Sequence, residues 1–450
     1  MEKYTYINRK IDSDLLIWTK ENRRKPLLLR GARQVGKSSA IRNLGKQFDY
    51  FLEVNFETDA AARDLFAKTG LSPQELCRDL AVIYETPVIP GKTLLFLDEI
   101  QMSLPAISSL RYFYEKFPEL HVVAAGSLLE FVLLDLPSFG VGRVRSMYMY
   151  PMSFMEFLGA CNHNLLAQAI QQADCKNPLS EPVHEKAIEL LRKFLILGGM
   201  PEVVAAYTND NDLLSCQRIL DDLVISLRAD FVKYKAKVPT LQISTVFDSV
   251  AAQMGKKFIY ANASKDYSHR QIKEGLELLK MAGLVIPVTH TAANGLPLGA
   301  EADDRKQKML IFDTGIFQRL LGLPLQDLLI SGNFSLVNKG NIAELFAGLE
   351  ILKSTSCYEQ KNLHYWHRES KNSNAEVDFV LQIGQDIIPV EVKSNTKGAM
   401  QSMRLFIDEK RSPYGIRTSL ENFSALPGIK IVPIYNIGAA MSLKRSDSAS

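Results

Sequence analysis

The sequence predicts an α/β fold for its first third, followed by further domains. Two short apolar runs carry this prediction: residues 27–29 lie directly before a glycine-rich turn, and residues 94–97 end in two carboxylates. Apolar runs bounded in this way are typical of strands that are buried on both faces of a parallel sheet. The chain has 450 residues, more than one hydrophobic core usually organises, so we expect several domains.

The glycine-rich turn has the pattern G-x-x-x-x-G-K-S of a phosphate-binding loop, between a strand and a helix. In such a loop the backbone N–H groups and the positive end of the following helix hold phosphate oxygens. Lys37 is expected to reach the β- and γ-phosphates, and the Ser38 hydroxyl to bind Mg²⁺. The sequence therefore predicts a P-loop NTPase fold that binds ATP and Mg²⁺ through Gly31, Ala32, Arg33, Gln34, Val35, Gly36, Lys37, Ser38 and Ser39.

The second apolar run delivers Asp98 and Glu99. The strand ends of a parallel sheet meet at one edge, so both carboxylates are expected beside the phosphates. Asp98 is predicted to join Ser38 in the Mg²⁺ shell, and Glu99 to polarise the attacking water. With Lys37 and Glu99 as catalytic residues, this pattern indicates an ATP hydrolase.

Two further residues extend the predicted nucleotide site. Ser127 follows a third strand, where related ATPases carry a residue that senses the γ-phosphate; an N-cap for the next helix is the alternative. Arg143 lies in a glycine-flanked loop and is a candidate arginine finger, with an ordinary surface role as the alternative. Strands are predicted near residues 26–30, 50–56, 94–98, 121–126 and 145–150.

The middle of the chain predicts a winged-helix pattern of helix, helix and wing. Ser268 and Gln271 form a capping box, and Gly283 ends the helix that they start. Residues 256–280 contain six Lys or Arg against three Asp or Glu, a local excess that permits contact with DNA. A protein-docking or lid module is the alternative.

A β-hairpin is predicted near the C-terminus, in the stretch AEVDFVLQIGQDIIPVEVKS with its turn at residues 384–385. This register places Asp378 opposite Glu391 and Glu376 opposite Lys393, all on one face, with Val377 and Phe379 on the other face. Opposed carboxylates repel unless a cation lies between them, which suits Mg²⁺ or Mn²⁺, with Lys393 orienting a metal-bound water. The alternative is a solvated face in which Lys393 neutralises Glu376 or Glu391.

The order of motifs resembles a prokaryotic family of AAA+-like ATPases with a C-terminal nuclease-like domain. The segments that carry the resemblance are GARQVGKSS, LLFLDEIQ, GSLLEF, PMSFMEF, LILGGMPEVV, LIFDTGIFQRLLG and AEVDFVL…VEVKS. Asp378 with Glu391 and Lys393 looks like the D…E-x-K core of the PD-(D/E)XK nuclease superfamily, in which a helix often supplies another carboxylate, here Glu344. The superfamily's proline before the aspartate is replaced by Val377.

The resemblance implies a chain of four structured regions and a tail. These are an AAA+-like P-loop ATPase domain at 1–160, a helical lid or linker at 161–240, a winged-helix-like domain at 241–335, a restriction-endonuclease-like domain at 336–440, and a disordered tail at 441–450. The implied function is ATP hydrolysis coupled to action on DNA, with Lys393 catalytic and Asp378, Glu391 and Glu344 binding metal. A regulatory or docking ATPase with an inactive nuclease-like domain is the alternative.

Composition limits the remaining possibilities. The net charge of +3 is nearly balanced, so nucleic acid would have to be bound by a local patch. Five scattered cysteines without a C-x-x-C pair argue against a disulfide framework and a cysteine-based zinc site. An apolar run of about 18 residues is absent, and the N-terminus lacks a signal-like apolar core, so we expect a cytoplasmic protein without a membrane span. Oligomerisation stays open.

Overall fold

The computed structural model describes residues 6–68, 70, 72–135, 142–234, 238–323, 339–369, 375–393 and 400–442. Most of the predicted tail lies outside these residues. Contacts divide the chain into two compact units, the first made of Met1–Pro151, Met281–Gly283 and Ser356–Gln360, and the second of Met152–Lys280, Leu284–Thr355 and Lys361–Ser450. Within the described part, no helix combines the length and the apolar character needed to cross a membrane.

The first unit contains a sheet of five parallel strands in the order β2-β3-β4-β1-β5. Every residue of the neighbouring interior strands β3 and β4 is buried, as expected for strands inside a parallel sheet. The predicted α/β fold with a parallel sheet is confirmed. The strands are β1 Leu27–Arg30, β2 Tyr50–Asn55, β3 Thr93–Asp98, β4 His121–Ala125 and β5 Arg145–Tyr148.

Helices connect these strands and begin at recognisable caps. Ser72 and Glu75 form a capping box, and Asp59 accepts a hydrogen bond from the Ala62 N–H at the start of the preceding helix. The helices of this unit are α1 Ile11–Thr19, α2 Lys37–Gly45, α3 Ala60–Ala67, α4 Pro73–Ile83, α5 Leu104–Lys116 and α6 Leu129–Asp135.

The second unit begins with helices, as the sequence predicts for residues 161–240. The break at Gly198 and Gly199 separates two of them, and a Cβ at Gly199 would lie 2.2 Å from the Met152 carbonyl oxygen. Ser268 and Gln271 form the predicted capping interaction before the last helix. These helices are α7 Phe154–Ala160, α8 Asn164–Gln172, α9 Glu181–Leu197, α10 Pro201–Asp210, α11 Leu213–Ala229, α12 Phe231–Tyr234, α13 Thr240–Ala252 and α14 His269–Met281.

An eight-stranded mixed sheet forms the rest of the second unit, in the order β12-β13-β11-β10-β9-β8-β6-β7. Its helices are α15 Thr314–Leu320, α16 Lys339–Ser354 and α17 Gln401–Lys410. The strands are β6 Val285–Thr291, β7 Ala302–Ile311, β8 Leu363–His367, β9 Glu376–Ile383, β10 Asp386–Val392, β11 Gly415–Ser419, β12 Ser424–Leu426 and β13 Ile429–Pro433.

Strands β6 and β7 form an antiparallel hairpin within residues 241–335, the range predicted to be a separate winged-helix-like domain. In the structure β6 pairs with β7 on one side and, in parallel, with β8 on the other. The hairpin is therefore continuous with the C-terminal sheet, and the predicted division at 335/336 does not separate two sheets. A helix followed by a hairpin has the same local sequence pattern whether or not more strands pair with it, so only the long-range pairing reveals this.

Candidate functional site

The P-loop joins β1 to α2 and needs backbone conformations that favour glycine. Gly36 has φ of 98°, immediately before the first residue of α2. Gly31 has φ of 148°, and a Cβ there would lie 2.1 Å from the Met149 carbonyl oxygen. Gln34 also has a positive φ, and Val35 is fully buried beneath the loop. The predicted loop residues thus form one tight turn at the end of β1.

Lys37 is held against this loop. Its Nζ donates hydrogen bonds to the carbonyl oxygens of Gly31 and Ala32, both at 2.8 Å. Burial lowers the pKa of Lys37 to about 8, and nearby Arg33 acts in the same direction, while Glu99 and Asp98 oppose the shift. A phosphate group would supply a direct anionic partner for this buried ammonium.

Ser38 and Asp98 meet across the ends of α2 and β3. The Ser38 Oγ donates to the two carboxylate oxygens of Asp98 at 3.1 and 3.0 Å. Asp98 is 4% exposed, and burial raises its pKa. A hydroxyl beside a carboxylate is the oxygen donor set that Mg²⁺ prefers, so these two residues fit the predicted metal. Ser39 follows in the first turn of α2.

Glu99 follows Asp98 in a left-handed conformation, with φ of 47°. Its Oε2 accepts hydrogen bonds from the Gln101 side chain and, at 3.3 Å, from the Ser127 hydroxyl. Gly126 provides room for this arrangement, because a Cβ there would lie 2.0 Å from Gln101 Oε1. Ser127 therefore lies at the predicted site, beside Glu99. Gln101 was not among the predicted residues, since nothing in its local pattern separates it from an exposed helix residue.

The C-terminal hairpin has the predicted register. Residues 379–383 pair with residues 386–390 in β9 and β10, so residues 384 and 385 form the turn. The backbone ladder ends there, and the Asp378 carboxylate accepts a hydrogen bond from the Val392 N–H at 2.8 Å. Asp378 thus uses one oxygen to extend the hairpin.

The prediction that Val377 and Phe379 share one face is corrected by the structure. Val377 packs in a cluster with Trp366 and Phe406, whereas Phe379 lies against Gly348 of α16. The register between β8 and β9 shifts at this point, which adds one residue on β9 and reverses the alternation of side chains.

Lys308 of β7 contacts three carboxylates, which we call the acidic cluster. Nothing in the sequence indicated this lysine's role. Its Nζ lies 2.9 Å from Glu344 Oε1, 2.5 Å from Glu376 Oε1 and 3.8 Å from Asp378 Oδ1. Lys308 is 1% exposed. Glu376 therefore pairs with Lys308. The alternative expectation, that Glu376 pairs with Lys393, is not what the structure shows.

Glu391 and Lys393 form an ion pair, as expected in the alternative in which Lys393 neutralises Glu391. Glu391 is buried, burial raises its pKa, and its Oε2 has no hydrogen-bond partner within the described residues. Across those same residues, no group of three or more His, Cys, Asp or Glu is arranged to hold a metal ion. The metal site predicted on Glu344, Asp378 and Glu391 is thus not preformed.

Comparison with protein families finds a known domain family over most of the first unit. The AAA domain family matches residues 23–158, which contain the P-loop, Asp98 and Glu99. The chain carries an AAA-type P-loop ATPase domain. Two families described as domains of unknown function, DUF8612 and DUF4143, match residues 188–327 and 339–437. The nuclease-like assignment of the C-terminal region has no match among these families. A comparison with curated proteins found no match.

Solved structures resemble the chain at low identity. A Walker-type ATPase of Pyrococcus abyssi is 17% identical, with a TM-score of 0.44, over 70% of this chain and 96% of that chain. The ORC1 protein of Aeropyrum pernix, solved in complex with DNA, is 14% identical, with a TM-score of 0.29, over 72% and 92%. PCH-2 of C. elegans is 12% identical, with a TM-score of 0.22, over 60% and 67%.

Within the ATPase domain, the contacts of Arg143 are not those of an arginine finger. Its guanidinium pairs with Glu115 of α5, and its side chain is 44% exposed. An arginine finger must reach the nucleotide in order to act on it. The finger role of Arg143 therefore stays a prediction.

Arg9 is a further residue of the ATPase domain that sequence analysis missed. Its Nη1 donates to the Val35 carbonyl in the P-loop at 2.9 Å, and its Nη2 donates to the Tyr150 carbonyl at 2.7 Å. The side chain is buried and ties the segment before α1 to the nucleotide site. An arginine so far from the motif gives no local signal of this contact.

Proposed function

We propose that the chain is a Mg²⁺-dependent ATP hydrolase that uses the site at the ends of β1, β3 and β4. The observation that carries the proposal is the contact between Ser38 and Asp98, with Glu99 next along the chain. A hydroxyl and a carboxylate bind the metal of a nucleotide, and the adjacent carboxylate can polarise water.

Each residue has a distinct task in this proposal. Lys37 leaves the loop carbonyls and binds the β- and γ-phosphates, while the P-loop N–H groups hold the remaining phosphate oxygens. Ser38 and Asp98 would hold Mg²⁺, which would supply positive charge next to the phosphates. Glu99 would accept a proton from the attacking water, and Ser127, which donates a hydrogen bond to Glu99, would contact the γ-phosphate. Arg143 would act as a finger on nucleotide after release from Glu115.

Phosphate release by the full-length protein tests this proposal. Wild type is expected to hydrolyse ATP only with Mg²⁺, and Lys37→Ala to abolish turnover. Lys46→Ala is the matched control, because Lys46 follows the same helix and is exposed. Equal turnover by Lys37→Ala and Lys46→Ala, or turnover unaffected by EDTA, would contradict the proposed site.

For the second unit, we propose nucleic-acid binding without cleavage. Five basic residues between 256 and 273 have exposed side chains, and such residues bind phosphates through counterion release. Cleavage at Asp378, Glu391 and Lys393 was the other expectation. The ion pair between Lys308 and Glu344 favours binding alone, because an ammonium already occupies the place among the carboxylates where a metal ion would bind. The five basic residues are Lys256, Lys257, Lys265, Arg270 and Lys273.

Salt-dependent DNA binding tests this second proposal. Replacing Lys265, Arg270 and Lys273 with Glu is expected to weaken binding to a fluorescent duplex at least about tenfold and to reduce the slope against salt concentration. A matched control places Glu at three exposed basic positions elsewhere, Lys176, Lys186 and Lys361. Equal loss in both triple variants would exclude a local patch, and Mg²⁺- or Mn²⁺-dependent cutting by wild type would exclude binding alone.

A further inference from the structure

The contacts of Lys308 extend beyond ordinary ion pairing. Its ammonium meets carboxylates from two separate elements, Glu344 on α16 and Glu376 and Asp378 on β9. It also lies 5.3 Å from the centre of the Tyr365 ring, which adds a cation–π contact. One positive charge thus stands among three acidic side chains.

The main chain closes this cluster on another side. Lys257 forms an antiparallel bridge with Lys308, and the Phe258 N–H donates to the Gln307 carbonyl at 2.8 Å. At Gly255, with φ of 75°, a Cβ would lie 3.4 Å from Glu344 Oε2. The segment from Gly255 to Phe258 therefore runs along β7, and Gly255 lies beside Glu344.

Electrostatics favours the charged form of Lys308 despite this burial. Burial opposes the charge, but Glu344, Asp378 and Glu376 together raise the pKa of Lys308 above its ordinary value. For Glu344 the balance differs, because burial raises the pKa of its carboxyl to about 7 against the opposing effect of Lys308. The pocket holds more potential negative charge than one ammonium cancels.

We propose that Lys308 is a built-in cation that fills a latent divalent-metal site formed by Glu344, Glu376 and Asp378. The oxygens surround a nitrogen at 2.5 to 3.8 Å, whereas Mg²⁺ requires oxygens at about 2.1 Å in octahedral geometry. A metal ion therefore cannot share the pocket with this ammonium. Removing the ammonium leaves three carboxylates, the ligand type that Mg²⁺ and Mn²⁺ bind.

This inference deepens the binding-only function proposed for the second unit, and ATP turnover does not bear on it. It predicts that nucleotide-free wild type has no Mn²⁺ site that depends on Asp378. It also predicts that Lys308→Met creates one. DNA binding by the basic patch can fail without affecting either result, so the two proposals fail separately.

Isothermal titration of the full-length protein with MnCl₂ tests the inference. Wild type and Asp378→Asn are expected to give the same isotherm. Lys308→Met is expected to gain one Mn²⁺ with Kd below about 1 mM, and the double variant Lys308→Met/Asp378→Asn to lose it. Lys306→Met is the control, since Lys306 lies on the same strand and pairs with Asp303 and Glu369 outside the cluster.

Two results would overturn the inference. One is a Mn²⁺ site in wild type that disappears in Asp378→Asn, since Lys308 would then not exclude metal. The other is a folded Lys308→Met that gains no site. Should Lys308→Met fail to fold, Lys308→Gln, which also lacks the positive charge but keeps a hydrogen-bond donor for the carboxylates, is read in the same way, and the comparison of wild type with Asp378→Asn decides if both variants are unfolded.

Discussion

The Ser38 hydroxyl donates to both carboxylate oxygens of Asp98, at 3.1 and 3.0 Å, and joins the start of α2 to the end of β3. Strand β3 is wholly buried and is followed by Glu99, so the sheet fixes both carboxylates relative to the P-loop. In the proposed mechanism, Mg²⁺ binding by Asp98 and water activation by Glu99 therefore depend on neighbouring residues at the end of one strand.

Asp98→Asn is expected to weaken Mg²⁺ use. Replacing one anionic oxygen with an amide removes charge from the metal shell, so the Mg²⁺ concentration for half-maximal ATP turnover should rise about 10- to 100-fold. The measurement is phosphate release across a MgCl₂ titration at saturating ATP. Asp49→Asn serves as the control because Asp49 is exposed, and an unchanged Mg²⁺ requirement in Asp98→Asn would exclude Asp98 from the shell.

Gln101→Ala is expected to lower turnover without changing ATP affinity. The Gln101 amide donates a hydrogen bond to Glu99 and holds its carboxylate in one orientation. Because the variant loses this hydrogen bond, kcat should fall about tenfold. Gly126→Ala should have the same effect, because its Cβ would displace Gln101. Turnover and ATP affinity are measured together, with Gln74→Ala on the surface as control. A loss confined to affinity would contradict a positioning role.

Arg9→Met is expected to weaken ATP binding. The P-loop carbonyl of Val35 and the carbonyl of Tyr150 would lose their buried donor, at a cost of about 1–3 kcal/mol in the free energy of unfolding. ATP affinity should fall about tenfold as the loop loses its brace. Equilibrium binding of a fluorescent ATP analogue and thermal unfolding report the two effects. Arg23→Met, at an exposed position, should change neither.

His121 predicts acid sensitivity of the ATPase domain. Its Nε2 lies 3.1 Å from the Thr19 carbonyl, while Nδ1 is buried without a partner among the described residues. Burial lowers the pKa of His121 to about 4, from 6.5, and Arg24 adds to this shift. The unfolded chain therefore binds a proton that the folded domain does not between about pH 6.5 and 4. Stability should decrease as pH falls through this window, by at most about 1.4 kcal/mol per pH unit.

Unfolding at several pH values checks this prediction. Trp18 packs edge-on against the His121 ring at 5.9 Å, so its fluorescence reports this domain in a Trp366→Phe background. His121→Gln should flatten the pH dependence between 6.5 and 4, whereas His269→Gln, at an exposed site, should not. An identical slope for both variants would show that other groups govern acid unfolding.

Much of the nucleotide site was predictable from sequence. The P-loop and the Asp98–Glu99 pair are contiguous motifs whose chemistry depends on local backbone and short side chains, and the five strands of the first sheet were predicted close to their observed positions. The register of the C-terminal hairpin was also predictable, because residues 384–385 set it locally. For the five strands of the first sheet, the observed ends differ from the predicted ends by two residues at most.

Long-range contacts account for what the sequence did not reveal. Lys308 reaches Glu344 and Glu376 only after β7 has joined the C-terminal sheet, so its neighbours along the chain give no signal. The faces of Val377 and Phe379 depend on a register shift against β8, which a strict alternation of side chains cannot anticipate. Arg9 and Gln101 likewise gain their roles from tertiary contacts.

ATP affinity and phosphate release, measured on one preparation of wild type and Glu99→Gln, test the central claim most directly. The variant keeps the P-loop, Ser38 and Asp98 but lacks the carboxylate that we propose activates water. We predict that Glu99→Gln binds ATP as wild type does and that its turnover falls at least about 100-fold. Wild-type turnover in Glu99→Gln, or no ATP hydrolysis by wild type with Mg²⁺, would contradict the account.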